Sequence, residues 1–184
     1  MAFLLLHGLD GSGPDHWQTW LAERLRARGL RVAYPALPDA SAPRIDAWLA
    51  ALDDALARMP AETTVCCHSL GCLLWLHHAA RRARMVGRAL LVAPTQPDEE
   101  DPPSVDFRPA PLDAEGVAAA AGETLLVCST DDPYCPPPTS RRIAAAIGVE
   151  IDWVVDGGHL NAAAGRGPWP ELESWAVGER ARPV

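Results

Sequence analysis

Three separated stretches of the chain carry side chains that could act together on a carbonyl group. Ser69 lies in CHSLG, Asp132 in STDDPYCPP and His159 in VDGGHLN. A serine hydroxyl becomes a nucleophile when a histidine removes its proton, and a carboxylate can hold that histidine in the required tautomer. These residue types predict acyl-transfer chemistry through a serine nucleophile, if the fold brings the three side chains together.

The residues around Ser69 are typical of a sharp strand-to-helix turn. Such a turn exposes the hydroxyl at the start of a helix and requires small neighbours in the pattern G-x-S-x-G. Gly71 occupies the second glycine position, whereas Cys67, also a small residue, replaces the first. Taken alone, the segment fits an ordinary turn equally well. We expect His68 to pack beside the turn rather than act as the base, because adjacent side chains there point apart.

The candidate acid and base follow the last two apolar runs. Asp132 precedes Pro133, which restricts the loop, but Asp131 is a competing acid and a plain Asp-Pro turn is the simpler alternative. His159 follows two glycines and is the only one of six histidines beyond the last apolar run. The order Ser69, Asp132, His159 is that of α/β-hydrolases, so the three signals together predict a catalytic triad.

The glycine-rich segment after the first apolar run predicts half of an oxyanion hole. Such a hole needs two main-chain N–H donors. We assign them to Leu70, directly after the nucleophile, and to Leu9 in HGLDGSG. A phosphate-binding loop is the competing interpretation, but Gly11 and Gly13 are followed by Pro, Asp and His, so G-x-G-x-x-G fails and no GK[ST] is present.

Alternating strand and helix patterns must position these residues. The helical segments have apolar residues spaced for one buried face. Six apolar runs predict strands, at Ala2–Leu6, Leu30–Tyr34, Thr63–Cys67, Ala89–Ala93, Thr124–Ser129 and Glu150–Val155. Helices are predicted over Asp15–Arg28, Pro43–Met59, Leu70–Ala80, Ser140–Ile147 and Pro170–Val177.

This alternation predicts a single α/β domain spanning residues 1–184. Its architecture should be a three-layer sandwich, with a six-stranded parallel sheet and helices on both faces. Functional groups in such sheets gather at the carboxyl edge of the strands. The irregular, proline-rich and acidic stretch Pro94–Gly116 should border the site.

Composition excludes several classes of function. The net charge of −8 argues against nucleic acid and anionic membranes, which both attract a basic surface. No apolar run reaches the length of a membrane span, and MAFLLLHG is predicted to be a buried strand rather than a signal peptide. The five cysteines are predicted to be buried, reduced thiols, which favours a cytoplasmic protein. All basic residues are arginine, and with the abundant alanine this suggests a bacterial source.

The stretches LLHGLDGSGPDHWQTWL, CHSLGCLLWL, STDDPYCPP and DGGHLN together resemble the small serine hydrolases related to retinoblastoma-binding protein nine. The similarity runs from His7 to the last helix. It implies a minimal α/β-hydrolase fold without a lid, with strand order 2-1-3-4-5-6. It also implies that Ser69 is the nucleophile, Asp132 the acid and His159 the base. The departure from the family pattern is Cys67, where other members carry alanine or glycine.

The predicted function is hydrolysis of small carboxylic esters, or of amides or thioesters, through an acyl-enzyme. About thirty residues separate the fourth and fifth strands, too few for a lid that would cover a long acyl chain. No metal or organic cofactor is predicted, and nothing in the chain predicts an oligomeric state. One alternative is a partner-binding protein on a hydrolase fold with little or no activity. Another is a thioesterase or acyltransferase with the same triad.

Overall fold

A parallel β-sheet forms the centre of the computed structural model, which describes residues 1–82, 85–98 and 103–184. Its strands are β1 Ala2–Leu6, β2 Arg31–Ala33, β3 Thr63–His68, β4 Val86–Val92, β5 Ala121–Ser129 and β6 Ile151–Val154. All neighbouring pairs are parallel, in the order β2-β1-β3-β4-β5-β6. The predicted six-stranded sheet and its strand order are therefore confirmed.

Helices follow most strands and cover both faces of the sheet. They are α1 Trp17–Ala27, α2 Ile45–Ala57, α3 Leu70–Ala80, α4 Ala114–Ala120, α5 Pro137–Ile147 and α6 Pro170–Ala176. Proline stands in the first turn of α5 and α6. Main-chain N–H groups there make no hydrogen bond within the helix, so proline, which lacks the N–H, is tolerated. Gly148 ends α5 with φ +72°, a conformation that costs glycine little.

The sheet separates two hydrophobic cores because successive strand residues point to opposite faces. In β1, Phe3 and Leu5 pack with α1 and α6, whereas Leu4 and Leu6 pack with α2 and α3. All five β1 side chains are buried, which explains the continuous rather than alternating apolar run.

Helix α4 is the element that the sequence did not predict, and its first residues overlap the predicted irregular stretch Pro94–Gly116. The helix is short and contains Gly116, which lowers its intrinsic helix propensity. A Cβ at Gly116 would lie 3.0 Å from the carbonyl oxygen of Ala79 at the end of α3, so the glycine permits close approach of the two helices. Tertiary packing therefore stabilises α4.

The stretch between β4 and β5 adds little else to the fold. Val105–Phe107 forms one turn of 3-10 helix, and residues 99–102 of the predicted irregular stretch lie outside the described residues. No lid covers the carboxyl edge of the sheet in the described ranges. None of the helices within those ranges combines the length and apolar character needed to cross a membrane.

Candidate active site

Ser69 occupies the turn between β3 and α3 in an unusual backbone conformation. Its φ of +55° and ψ of −122° are strongly disfavoured for a residue with a side chain, and such strain costs about 1–3 kcal/mol. The surrounding sheet holds this geometry, because β3 lies between β1 and β4 and the Ser69 N–H donates to Val92 O at 3.0 Å. The hydroxyl therefore stands at the carboxyl edge of the sheet, at the start of α3.

Two glycines leave the space that this turn requires. A Cβ at Gly71 would lie 2.6 Å from Leu6 O and 2.7 Å from His7 O, so no larger residue fits without moving β1. A Cβ at Gly8 would lie 2.8 Å from the Cβ of Ser69. Cys67 stands within strand β3 and is fully buried, so the first position of the motif accommodates a thiol.

The three predicted triad residues lie in contact although they are far apart in the chain. His159 Nε2 is 2.8 Å from Ser69 Oγ, and His159 Nδ1 is 2.9 Å from Asp132 Oδ2. All three side chains are at least nine-tenths buried. With Nδ1–H donating to the carboxylate, Nε2 is left to accept the Ser69 proton. The arrangement can generate a serine nucleophile, and the catalytic roles stay predictions.

Asp131, the competing acid, points to different partners. Its Oδ1 accepts hydrogen bonds from Ser129 Oγ at 2.7 Å and from the Gly158 N–H at 2.7 Å. Ser129 Oγ in turn accepts the Gly157 N–H at 2.9 Å. These bonds lower the pKa of Asp131 and attach the glycine loop before His159 to the end of β5. Asp131 thus holds the loop, while Asp132 contacts the imidazole.

A cavity of about 360 Å³ opens beside Ser69. Leu9 and Leu70, the predicted oxyanion-hole residues, both line it. Among the described residues no acceptor pairs with the main-chain N–H of either one, so both donors are available to a ligand. That they stabilise an oxyanion stays a prediction.

The cavity is also lined by residues that the sequence did not single out individually. Tyr134 packs its ring 4.6 Å from the His159 ring at the rim, and the Tyr134 N–H donates to Asp132 Oδ1 at 2.9 Å. Thr95, Ser104 and Arg108 belong to the irregular stretch that was predicted to border the site, and that prediction is confirmed for them. Tyr134 directly follows STDDP in the sequence, but it belongs to no periodic pattern from which its place in the cavity could have been predicted.

The cysteines offer no competing nucleophile. All five are buried and free, as predicted. Burial raises the pKa of the Cys66 and Cys128 thiols to about 12 and that of Cys135 to about 11. Since the thiolate is the reactive form, these side chains are inert at neutral pH. Within the described ranges no group of three or more His, Cys, Asp or Glu side chains could hold a metal ion.

The chain is similar in sequence and in fold to known hydrolases. YdeN of Bacillus subtilis, named as a hydrolase, is 28% identical over 160 residues, which cover 85% of this chain and 84% of that protein. The crystal structure of the ydeN gene product superimposes with a TM-score of 0.86 at 24% identity, over 98% of this chain and 99% of that one.

A second curated relative is the pimeloyl-[acyl-carrier protein] methyl ester esterase of Aromatoleum aromaticum. It is 35% identical over 147 residues, which cover 77% of this chain and 54% of that protein. The serine hydrolase family itself matches residues 3–176, nearly the whole chain. The protein therefore belongs to the serine hydrolase family, and its function is hydrolytic.

Proposed function

We propose that the protein hydrolyses small carboxylic esters through an acyl-enzyme formed on Ser69, with His159 as the base and Asp132 as the acid. The observation that carries the proposal is the unbroken chain of contacts from Ser69 Oγ to His159 Nε2 and from His159 Nδ1 to Asp132. Each contact has the length of a direct hydrogen bond.

In the first half of the reaction, Ser69 Oγ attacks the ester carbonyl carbon while His159 Nε2 takes the hydroxyl proton. Asp132 stabilises the resulting imidazolium and holds its orientation. The main-chain N–H groups of Leu9 and Leu70 donate to the developing oxyanion. His159 then gives the proton to the leaving alkoxide, and an alcohol departs.

In the second half, a water molecule attacks the acyl-enzyme and gives a proton to His159. Collapse of the new tetrahedral intermediate breaks the bond between the acyl carbon and Ser69 Oγ, which recovers its proton from His159. The product is a carboxylic acid, and the free enzyme is restored without any other reactant.

The cavity supports a short substrate. A volume of about 360 Å³ lies at the lower end of the range for ligand pockets. Its wall includes small residues such as Ala162 and Ala163, and polar ones such as Thr95 and Asn161, rather than a long apolar groove. We therefore propose short acyl chains, within the branch of the family related to retinoblastoma-binding protein nine. The methyl ester named for the Aromatoleum relative supports small alcohols as leaving groups.

Labelling with a fluorophosphonate, read by intact-protein mass spectrometry and peptide mapping, tests the nucleophile. We expect one adduct, on Ser69, in the wild-type protein and in the control variant Ser41→Ala, because Ser41 is an exposed residue outside the cavity. Ser69→Ala should remain folded, show no adduct and lose at least about 10³-fold in kcat on p-nitrophenyl acetate.

A panel of p-nitrophenyl acetate, butyrate and octanoate tests the substrate class. We expect kcat/KM to be highest for the short esters and to fall for octanoate. Wild-type protein that neither labels nor hydrolyses any ester would instead favour the partner-binding alternative. Faster turnover of acetyl-CoA than of the matched ester would favour the thioesterase alternative.

A further inference from the structure

His68 makes a direct hydrogen bond to the residue proposed as the base. Its Nε2 lies 3.0 Å from the main-chain carbonyl oxygen of His159, across 91 residues of sequence. A carbonyl oxygen only accepts, so His68 Nε2 carries the hydrogen and donates it. The side chain is 4% exposed, and water therefore competes little for this bond.

Three neighbouring rings pack against the His68 ring. The centroid of the His68 ring lies 4.6 Å from that of His16, 5.0 Å from that of His159 and 6.0 Å from that of Trp17. His16 is itself held, because its Nδ1 accepts the Gln18 N–H at 3.1 Å. Rotation of the His68 ring away from the carbonyl would therefore disturb the start of α1.

The loop that presents His159 needs such an anchor. It begins with two glycines, and Gly158 has φ +55°, so its main chain has little intrinsic stiffness. Asp131 and Ser129, at the end of β5, accept hydrogen bonds from the two glycines, but these bonds do not reach His159 itself. The His68 bond reaches His159 itself and comes from β3, the strand that ends next to Ser69.

We propose that His68 is a positioning residue, whose hydrogen bond holds the main chain of His159 against the end of β3, directly before Ser69. The proposal rests on the proposed function for its kinetic consequence. Because Ser69 and the main chain of His159 are then both attached to the end of β3, the distance between Ser69 Oγ and His159 Nε2 stays short. A displacement of about 1 Å in such a pair can lower the rate by about 10²-fold.

The electrostatic surroundings agree with a neutral donor. Burial lowers the pKa of His68 well below its ordinary value, and the neighbouring His159 and His16 lower it further. An uncharged His68 still donates through Nε2 and does not repel the imidazolium that forms at His159 during the proposed reaction.

The variants His68→Phe and His68→Gln separate the hydrogen bond from packing. Phenylalanine keeps a ring but has no donor, whereas the glutamine amide places an N–H at a reach similar to that of imidazole Nε2. We expect His68→Phe to lower kcat on p-nitrophenyl acetate by about 10- to 100-fold with little change in KM. His68→Gln should recover most of that loss.

Hydrogen exchange of residues 155–161 provides a readout that does not depend on activity. We expect faster exchange there in His68→Phe and near wild-type exchange in His68→Gln. His77→Phe is the matched control, because His77 makes the same kind of bond, 3.0 Å to Phe107 O, away from the His159 loop. It should leave exchange in 155–161 unchanged.

The two hypotheses fail in different ways. Inactive wild-type protein would overturn the proposed function, and exchange in 155–161 would still decide the role of His68. Unchanged exchange and unchanged kcat in folded His68→Phe would overturn the positioning role. Equal losses in both variants, with equal drops in Tm, would also overturn it, because packing alone would then explain the effect.

Discussion

At the scale of single residues, Asp131 and Asp132 show how neighbours with the same chemistry acquire different surroundings. Asp132 is 3% exposed and contacts the His159 imidazole through both carboxylate oxygens. Asp131 is exposed and accepts hydrogen bonds from a hydroxyl and a main-chain N–H. The Asp132 carboxylate can therefore orient the His159 ring, whereas the Asp131 carboxylate holds the loop that precedes His159.

Asparagine at the two positions should therefore have unequal effects. We expect Asp132→Asn to lower kcat on p-nitrophenyl acetate by about 10²–10⁴-fold, because the amide favours the wrong imidazole tautomer. Asp131→Asn should cost much less, since the amide oxygen can still accept from Gly158. Kinetics and Tm of both variants check this, and a larger loss in Asp131→Asn would move the acid to residue 131.

At the scale of elements, a buried carboxylate links α6 to α1. Glu173 accepts hydrogen bonds from Arg24 Nε at 3.0 Å and from Arg28 Nε at 2.9 Å. Helix α6 has only seven residues, too few to be stable alone, so its stability comes from this contact and from buried Leu172 and Trp175. These contacts secure α6 on the face of the sheet that α1 covers.

Glu173→Gln should weaken this attachment in a pH-dependent way. Burial raises the pKa of Glu173, but the bonds from Arg24 and Arg28 outweigh it and leave the pKa below its ordinary value. A depressed carboxyl pKa stabilises the fold above the unfolded-state pKa, and that stabilisation disappears as the pH falls through the folded-state pKa. At pH 7 we expect a loss of about 1–2 kcal/mol in the free energy of unfolding.

Thermal denaturation at several pH values measures the effect. The exposed residue on the same helix, Glu171, supplies the control Glu171→Gln, which should leave Tm almost unchanged. The difference in Tm between wild type and Glu173→Gln should shrink as the pH approaches 3. A difference that persists unchanged in acid would show that the ionised carboxylate is not its cause.

At the scale of the whole molecule, buried histidines lie near the carboxyl ends of β1 and β3. His7, His16 and His68 are each at most 5% exposed. Burial lowers the pKa of all three, in His16 to about 4 with further lowering from His159 and His7. Ser69 lies at the same edge of the sheet, and we expect the burial of these histidines to make the fold sensitive to acid. That one domain spans residues 1–184 stays a prediction.

Stability should therefore decline in mild acid. Between about pH 6.5 and pH 4 the unfolded chain binds more protons on His16 than the folded chain does, so the free energy of unfolding falls as the pH falls. The lowered pKa values of His7 and His68 act in the same direction. His16→Asn keeps a side-chain oxygen to cap α1 and should reduce this slope by up to about 1.4 kcal/mol per pH unit. Denaturant titrations from pH 7 to 4.5 test it, and equal slopes in both proteins would contradict it.

The sequence by itself determined the six strands, five of the six helices and the residue types at the strand ends. Apolar periodicity predicts which face of each element is buried, and this pattern can be read from a short stretch of sequence. Only the tertiary structure decided which of two adjacent aspartates meets His159, that α4 is helical, and that His68 contacts a carbonyl 91 residues away. Those outcomes depend on close approaches between distant segments, which no local pattern encodes.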